Sequence, residues 1–208
     1  MRWMAAILIL PALCRAGDLG PVTLPAPQKT GGMKLMQALN ERKSTREFAT
    51  QKLPPQVLSD LLWAAWGVNR PDGRRTAPSA SNRQEMDIYV ATADGLYLYQ
   101  AKEHRLQPVT SDDLRGSTGT QDYVKQAAVN LVYVADLAKM GNGSAESKAM
   151  YSGADTGFIS QNVYLYCASE GLVTVVRASV DRDALAKAMH LRPDQRITLA
   201  QSVGYPKK

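Results

Sequence analysis

Histidine and cysteine are nearly missing from this chain, at two of each in 208 residues. No group of them has the spacing of a zinc or other metal site, so none is expected. His104 lies in a charged turn region and His190 near a helix end, so general-base chemistry centred on histidine has little to work with. No Gly-x-Ser-x-Gly elbow is present for a serine hydrolase. Gly141-Asn142-Gly143 lacks the third glycine of a dinucleotide fingerprint. No basic run is interleaved with aromatics, which argues against nucleic acid as a partner. Carboxylate pairs such as Asp112-Asp113 read as solvated surface or a helix start.

Long apolar runs are also scarce. The one at the start, Ala5 to Leu13, is too short to span a bilayer and is interrupted by Pro11. With Arg2 before it and Cys14-Arg15-Ala16-Gly17 after it, residues 1–16 read as an export signal. The mature protein is then expected outside the cytoplasm, in the periplasm, with no stable membrane insertion. Cleavage after Ala16 removes Cys14 and leaves Cys167 alone, without an intrachain disulfide. It also removes Arg2 and Arg15 from a formal net charge of +6, leaving a mildly basic protein that favours anionic ligands.

Residues 17–32 are rich in proline and glycine and have no period, as expected of a linker or extended arm. The rest, 33–208, is long enough for one domain with a real core. Met33, Met36 and Leu39 predict a first helix ending near Arg42. Pro54-Pro55 opens a second, whose Leu58, Leu61, Leu62, Ala65 and Trp66 share a face closed by Gly67. Asp87 to Thr92, a turn at Asp94-Gly95 and Leu96 to Tyr99 make a hairpin. Lys102 to Gln107 reads as a further turn, and Ser111 to Gln126 as short helices. Val129 to Ala135 has the unbroken apolar run of a central strand. Asp155 to Glu170 predicts a long helix with Ile159, Val163, Tyr166 and Cys167 inward and Gly171 at its end. Leu172 to Val176 reads as a strand. Asp181 caps a helix running to about His190, and Ile197 to Val203 is the last strand. About five helices and five strands in mixed order make an α+β fold, one sheet flanked by helices. The hairpin supplies antiparallel pairing, and the helices between the later strands allow parallel pairing.

What remains for chemistry is cations, amides, hydroxyls and backbone. Such a set suits a protein that holds a cofactor and lets it react. Three cations fall within five residues in Arg42-Lys43-Ser44-Thr45-Arg46. This reads in two ways. A basic helix end complements the macrodipole. Alternatively, Ser44 and Thr45, poor helix residues, leave hydroxyls and N–H groups beside the charges, a grip for phosphate. A second polar loop, Pro78-Ser79-Ala80-Ser81-Asn82-Arg83-Gln84, has small side chains that let a flat ligand approach, with Asn82 and Gln84 as amide partners. It reads equally as plain surface.

Four blocks in order resemble the flavin-dependent nitroreductase family. They are Arg42 to Phe48, Pro78 to Gln84, Asp155-Thr156-Gly157-Phe158-Ile159-Ser160-Gln161-Asn162 running to Glu170-Gly171-Leu172, and Val203-Gly204-Tyr205-Pro206. The resemblance implies a mostly antiparallel mixed sheet flanked by helices in an interlocked homodimer, with FMN at the subunit interface. By the same resemblance Arg42 and Ser44 bind the FMN phosphate, with Lys43 alongside, and Arg46 lies at the ring edge that gains charge on reduction. Pro78, Ser79 and Ala80 pack on the ring from the other subunit, near Asn82 and Gln84. The N–H of Ala178 holds N5. Arg177 and Lys207 add contacts, Arg177 standing where relatives often have an apolar or small residue and Lys207 closing a chain shorter than many of them. The implied activity is hydride transfer from NADH, NADPH or another reduced donor to a quinone, nitroaromatic or similar flat acceptor. Two rival readings are a non-catalytic flavin carrier of the cell envelope and a structural protein that has lost the cofactor.

Overall fold

The computed structural model describes residues 19–207. The expected export signal with Cys14, and Lys208, lie outside the described residues. The described residues form seven strands and four α-helices. In chain order these are β1 (Val22–Thr23), α1 (Leu35–Glu41), α2 (Pro55–Trp66), β2 (Met86–Thr92), β3 (Gly95–Gln100), β4 (Arg105–Thr110), β5 (Val129–Asp136), α3 (Ala145–Ser169), β6 (Val173–Arg177), α4 (Arg182–Ala188) and β7 (Gln195–Gly204). Short 3-10 turns fill Arg115–Thr118 and Asp122–Lys125, where short helices were expected.

The strands form one sheet in the order β1-β4-β3-β2-β5-β7-β6. Every described pair is antiparallel, so the expectation of a mixed sheet is corrected. Helices α3 and α4 do separate β5, β6 and β7. However, β7 returns between β5 and β6 and runs against both. All eight residues of β5 are buried, because it lies at the centre with both faces covered. Its side chains alternate. Leu131 and Tyr133 join Ile88 and Val90 of β2 against Leu61 and Leu62 of α2 and Ile159 and Val163 of α3. Val132 and Val134 face the other way and meet Leu185 and Met189 around α4.

The helix ends follow local chemistry. Pro55 occupies the first turn of α2, where its missing N–H costs nothing, and the N–H of Gly67 closes the helix on the carbonyl of Trp63 at 2.8 Å. A side chain on Gly67 would run into the Trp63 ring. Helix α3 starts ten residues before the expected Asp155, at Ala145, capped by the Ser144 hydroxyl, which accepts the N–H of Ser147 at 3.2 Å. The early turns were illegible because Ser152 and Gly153 dilute the apolar period. The two-residue hairpin turn is Ala93-Asp94, and Gly95, at φ +143°, already begins β3. Two strands escaped the sequence. Polar Gln107 and Pro108 disguise β4, which tolerates proline beside a register shift opposite Leu96 and Tyr97.

The arm after residue 18 is held down. Val22–Thr23 pair with β4, and the Ser59 hydroxyl donates to the Pro25 carbonyl at 2.6 Å. Ser59 has only one hydrogen, so at 2.7 Å it accepts from Nε2–H of His104, and Tyr99 then donates to Nδ1 at 2.9 Å. Burial lowers the pKa of His104, in keeping with a neutral ring serving as a strut. His104→Ala leaves the buried hydroxyls of Ser59 and Tyr99 short of a partner and should cost about 1–3 kcal/mol in urea denaturation. An unchanged midpoint would show that this network does not secure the arm.

Candidate functional site

Both polar motifs are anchored on α3. The chain leaves α1 at Arg42, whose N–H closes the helix on Ala38. It then runs extended past the edge strand β6, where the N–H of Thr45 donates to the Thr174 carbonyl at 3.0 Å. Buried Phe48 pairs with Pro206, and Ala49 donates to Tyr205 at 2.9 Å. The expected closing block at Val203 to Pro206 thus lies beside the first motif. Lys207, exposed, follows directly.

The residue that organises this segment is Tyr164 of α3, which the sequence did not single out. Its hydroxyl meets Ser44 Oγ at 2.7 Å and accepts the N–H of Val176 at 3.0 Å. The Arg42 guanidinium lies over its ring, 5.2 Å from the centroid. When Tyr164 donates to Ser44, the Ser44 hydrogen is free to point outward. Lys43, Ser44 and Arg46 are exposed and Arg42 is half-buried. Among the described residues no ion pair involves Arg42, Lys43 or Arg46. Three unpaired cations flanking a fixed hydroxyl form a set of donors suited to phosphate oxygens. A tyrosine on the helix face toward the basic segment was the available signal.

The segment expected near N5 begins where Tyr164 touches Val176. Ala178 is exposed just beyond the end of β6. Arg177 departs from the expectation of a ligand contact, because its side chain turns inward. Its Nη1 donates to Ser202 Oγ at 2.8 Å, and its Nη2 to Thr118 Oγ1 at 2.7 Å and to Asn130 Oδ1 at 3.1 Å. No carboxylate balances this cation, and burial lowers its pKa to about 10. The guanidinium is therefore committed to neutral partners inside the fold.

The second loop is closed by its own side chains. Ser79 Oγ accepts the N–H of Gln84 at 3.0 Å, and Ser81, Asn82 and Gln84 all adopt positive φ. The amides expected to serve a ligand are used locally. Gln84 donates to Asn82 Oδ1 at 3.0 Å and to the Gly73 carbonyl at 3.2 Å, and it accepts from Arg75 Nε at 2.8 Å. The outer part, Pro78 to Asn82, stays accessible, and the N–H of Ala80 is tied to Asp155 Oδ2 of α3 at 3.1 Å. Asp155 and Tyr164 are nine residues apart on α3, a rise of about 13 Å. A single chain therefore keeps the two motifs apart, although both sit on the same helix.

Asp155 has a buried neighbour. Glu85, fully buried, has no hydrogen-bond donor for either carboxylate oxygen. Burial, and after it contact with Asp155, raises Glu85 to about 7. Burial beside a second carboxyl favours the protonated form of Glu85. The folded form binds that proton more tightly than the unfolded chain does. Stability is therefore full below the ordinary glutamate pKa and is lost as pH rises from there through about 7. Thermal melts of the wild type should show this decline, and Glu85→Gln, which keeps a donor toward Asp155 at every pH, should flatten it. Parallel pH profiles for both proteins would contradict the raised pKa of Glu85.

Three comparisons with known proteins bear on the site. The model of the nitroreductase family matches residues 39–205. An inferred nitroreductase of Methanocaldococcus jannaschii is 28% identical over 169 residues, 76% of this chain and 84% of that one. Among solved structures, an inferred nitroreductase from Ralstonia eutropha JMP134 superposes with a TM-score of 0.88 at 42% identity over 100% of both chains. A Staphylococcus epidermidis protein, described as an inferred NAD(P)H:FMN oxidoreductase, shares the fold at a TM-score of 0.66. It is 18% identical, over 88% of this chain and 92% of that one.

Proposed function

This chain belongs to the nitroreductase family, and we propose that it is an FMN-dependent oxidoreductase working as an exported homodimer. The observation that carries this reading is the basic segment at Arg42 to Arg46, whose cations lack carboxylate partners and whose hydroxyl is set by Tyr164. Those groups fit a phosphate. FMN, when bound, supplies the hydride chemistry, accepting from a reduced donor and passing on to a flat electron-poor acceptor in ping-pong order.

The chain's own part is binding and positioning. Arg42 and Ser44 hold the phosphate, with Lys43 and Lys207 adding charge. The planar fork of Arg46 lies at the ring edge that becomes negative and favours the reduced form. The N–H of Ala178, on exposed backbone where β6 ends, would hold N5. Pro78, Ser79 and Ala80 cover the ring of the partner's cofactor.

Two apolar groups support the dimer. Leu35, Met36 and Leu39 on α1 and Met150, Tyr151 and Phe158 on α3 are exposed in the single chain. This explains why the apolar stripe of the first helix buries only Ala38 in its own protomer. The donor is NADH, NADPH or, if residues 1–16 export the chain as expected, a reduced carrier of the envelope, and the acceptor is a quinone, nitroaromatic or similar flat molecule.

The visible spectrum of the purified protein tests this. A flavin band that bleaches on adding NADH, NADPH or a reduced quinone is expected. Bound FMN that none of them bleaches would favour the non-catalytic carrier. Arg42→Ala removes a charge-assisted contact of about 1.5–3 kcal/mol, so FMN should dissociate at roughly ten- to a hundredfold higher concentration. Undiminished flavin retention would overturn the phosphate assignment.

A further inference from the structure

The turn that leads into the Pro78 loop is richer in positive charge than the fold requires. Between Asn69 and Gln84 stand Arg70, Arg74, Arg75 and Arg83, against the single carboxylate of Asp72. Three of these arginines, with Pro78, Ser79 and Asn82, line a cavity of about 460 Å³. Arg75 is fixed at its back. It lies over the Trp66 ring at 5.4 Å, donates to Gln84 Oε1 at 2.8 Å, and is half-buried. Burial lowers its pKa, as expected for a cation with no carboxylate bound to it. Arg70 is drawn in by its Nη2, which donates to the Arg75 carbonyl at 3.2 Å, and it keeps an exposed guanidinium. Arg74 meets Asp72 only at 3.5 Å, with both side chains more than half exposed, a pairing that water and salt weaken. Ser79 Oγ accepts the N–H of Gln84, which leaves its own hydrogen available. The cavity thus presents guanidinium and hydroxyl donors that the loop's one carboxylate, the exposed Asp72 beside Arg74, offsets only in part.

We propose that this cavity receives the anionic oxygen group of a substrate, a carboxylate, sulfonate or phosphate, beside the cofactor ring that Pro78 and Ala80 cover. This deepens the oxidoreductase reading and rests on it for the position of the ring. Arg70 and Arg74 are the residues that discriminate, and Arg75 sets the floor on which they stand. The same chemistry serves two sources, an acidic acceptor or the additional phosphate that distinguishes NADPH from NADH.

The test is calorimetric binding to the FMN-loaded protein at low salt, using para-nitrobenzoate against para-nitrobenzyl alcohol, and NADP+ against NAD+, which carry the same phosphate difference but do not reduce the flavin. The charged member of at least one pair should bind roughly five- to tenfold more tightly. Added salt should close the gap, and so should Arg70→Gln combined with Arg74→Gln. A gap in the first pair assigns the anion to the acceptor, and one in the second to the donor. Equal affinity within both pairs overturns the proposal, whether or not the neutral acceptor is turned over. Loss of FMN from the double variant also overturns it, because the arginines would then serve the cofactor. Failure to turn over any acceptor while a salt-sensitive gap persists would sink the oxidoreductase reading and leave the anion site standing.

Discussion

One hydroxyl, that of Tyr164, joins the parts of this molecule that otherwise have no reason to meet. It stands on a helix of 25 residues, holds the serine of the basic segment, and takes the N–H of Val176 near the end of β6. The ring beneath that hydroxyl also carries the Arg42 guanidinium. Further along the same helix, Asp155 holds the second loop through a backbone N–H. Helix α3 is therefore a ruler, fixing where cations, hydroxyls and small residues are presented. It is itself fixed by Ile159, Val163 and Cys167, packed against the sheet. Two flexible polar segments become a defined surface because each is fastened to one rigid element.

Arginine takes opposite roles here, and the surroundings decide which. Arg177 is enclosed by Ser202, Thr118 and Asn130, so its charge works inside the sheet. Arg42, Arg46, Arg70 and Arg74 lie at or near the surface, where a guanidinium can bind an anion without a large desolvation cost. Composition alone counts these residues equally. The buried acids show the converse. Glu85, buried beside Asp155 with no donor to either oxygen, is pushed toward its protonated form, so the loop beneath Pro78 rests on a support that depends on pH.

Much of this was legible from residue order. The face of Leu61, Leu62 and Ala65, the unbroken run of β5, the inward Cys167 and the cap at Asp181 follow from period and capping chemistry, and the structure has them. Three features were not legible. Strand β4 holds a proline and polar side chains, because a strand near the sheet edge has less need of an apolar pattern. The first turns of α3 contain small and polar residues whose environment comes from tertiary contacts. The antiparallel order of β5, β7 and β6 depends on which strand inserts between two others, a choice local patterning does not record. At the site, sequence indicated which segments matter but not which side chains are free. Gln84 and Arg177 are both polar and both in the right segments, yet Gln84 is engaged within its own loop and Arg177 by residues distant in the chain.

The central claim is that the basic segment steadied by Tyr164 grips the phosphate of a flavin in a paired molecule. Native mass spectrometry of the mature protein, incubated with FMN and then desalted, tests it most directly. The account predicts two chains carrying two FMN molecules. A chain that emerges without flavin, or a single chain holding one, would contradict it.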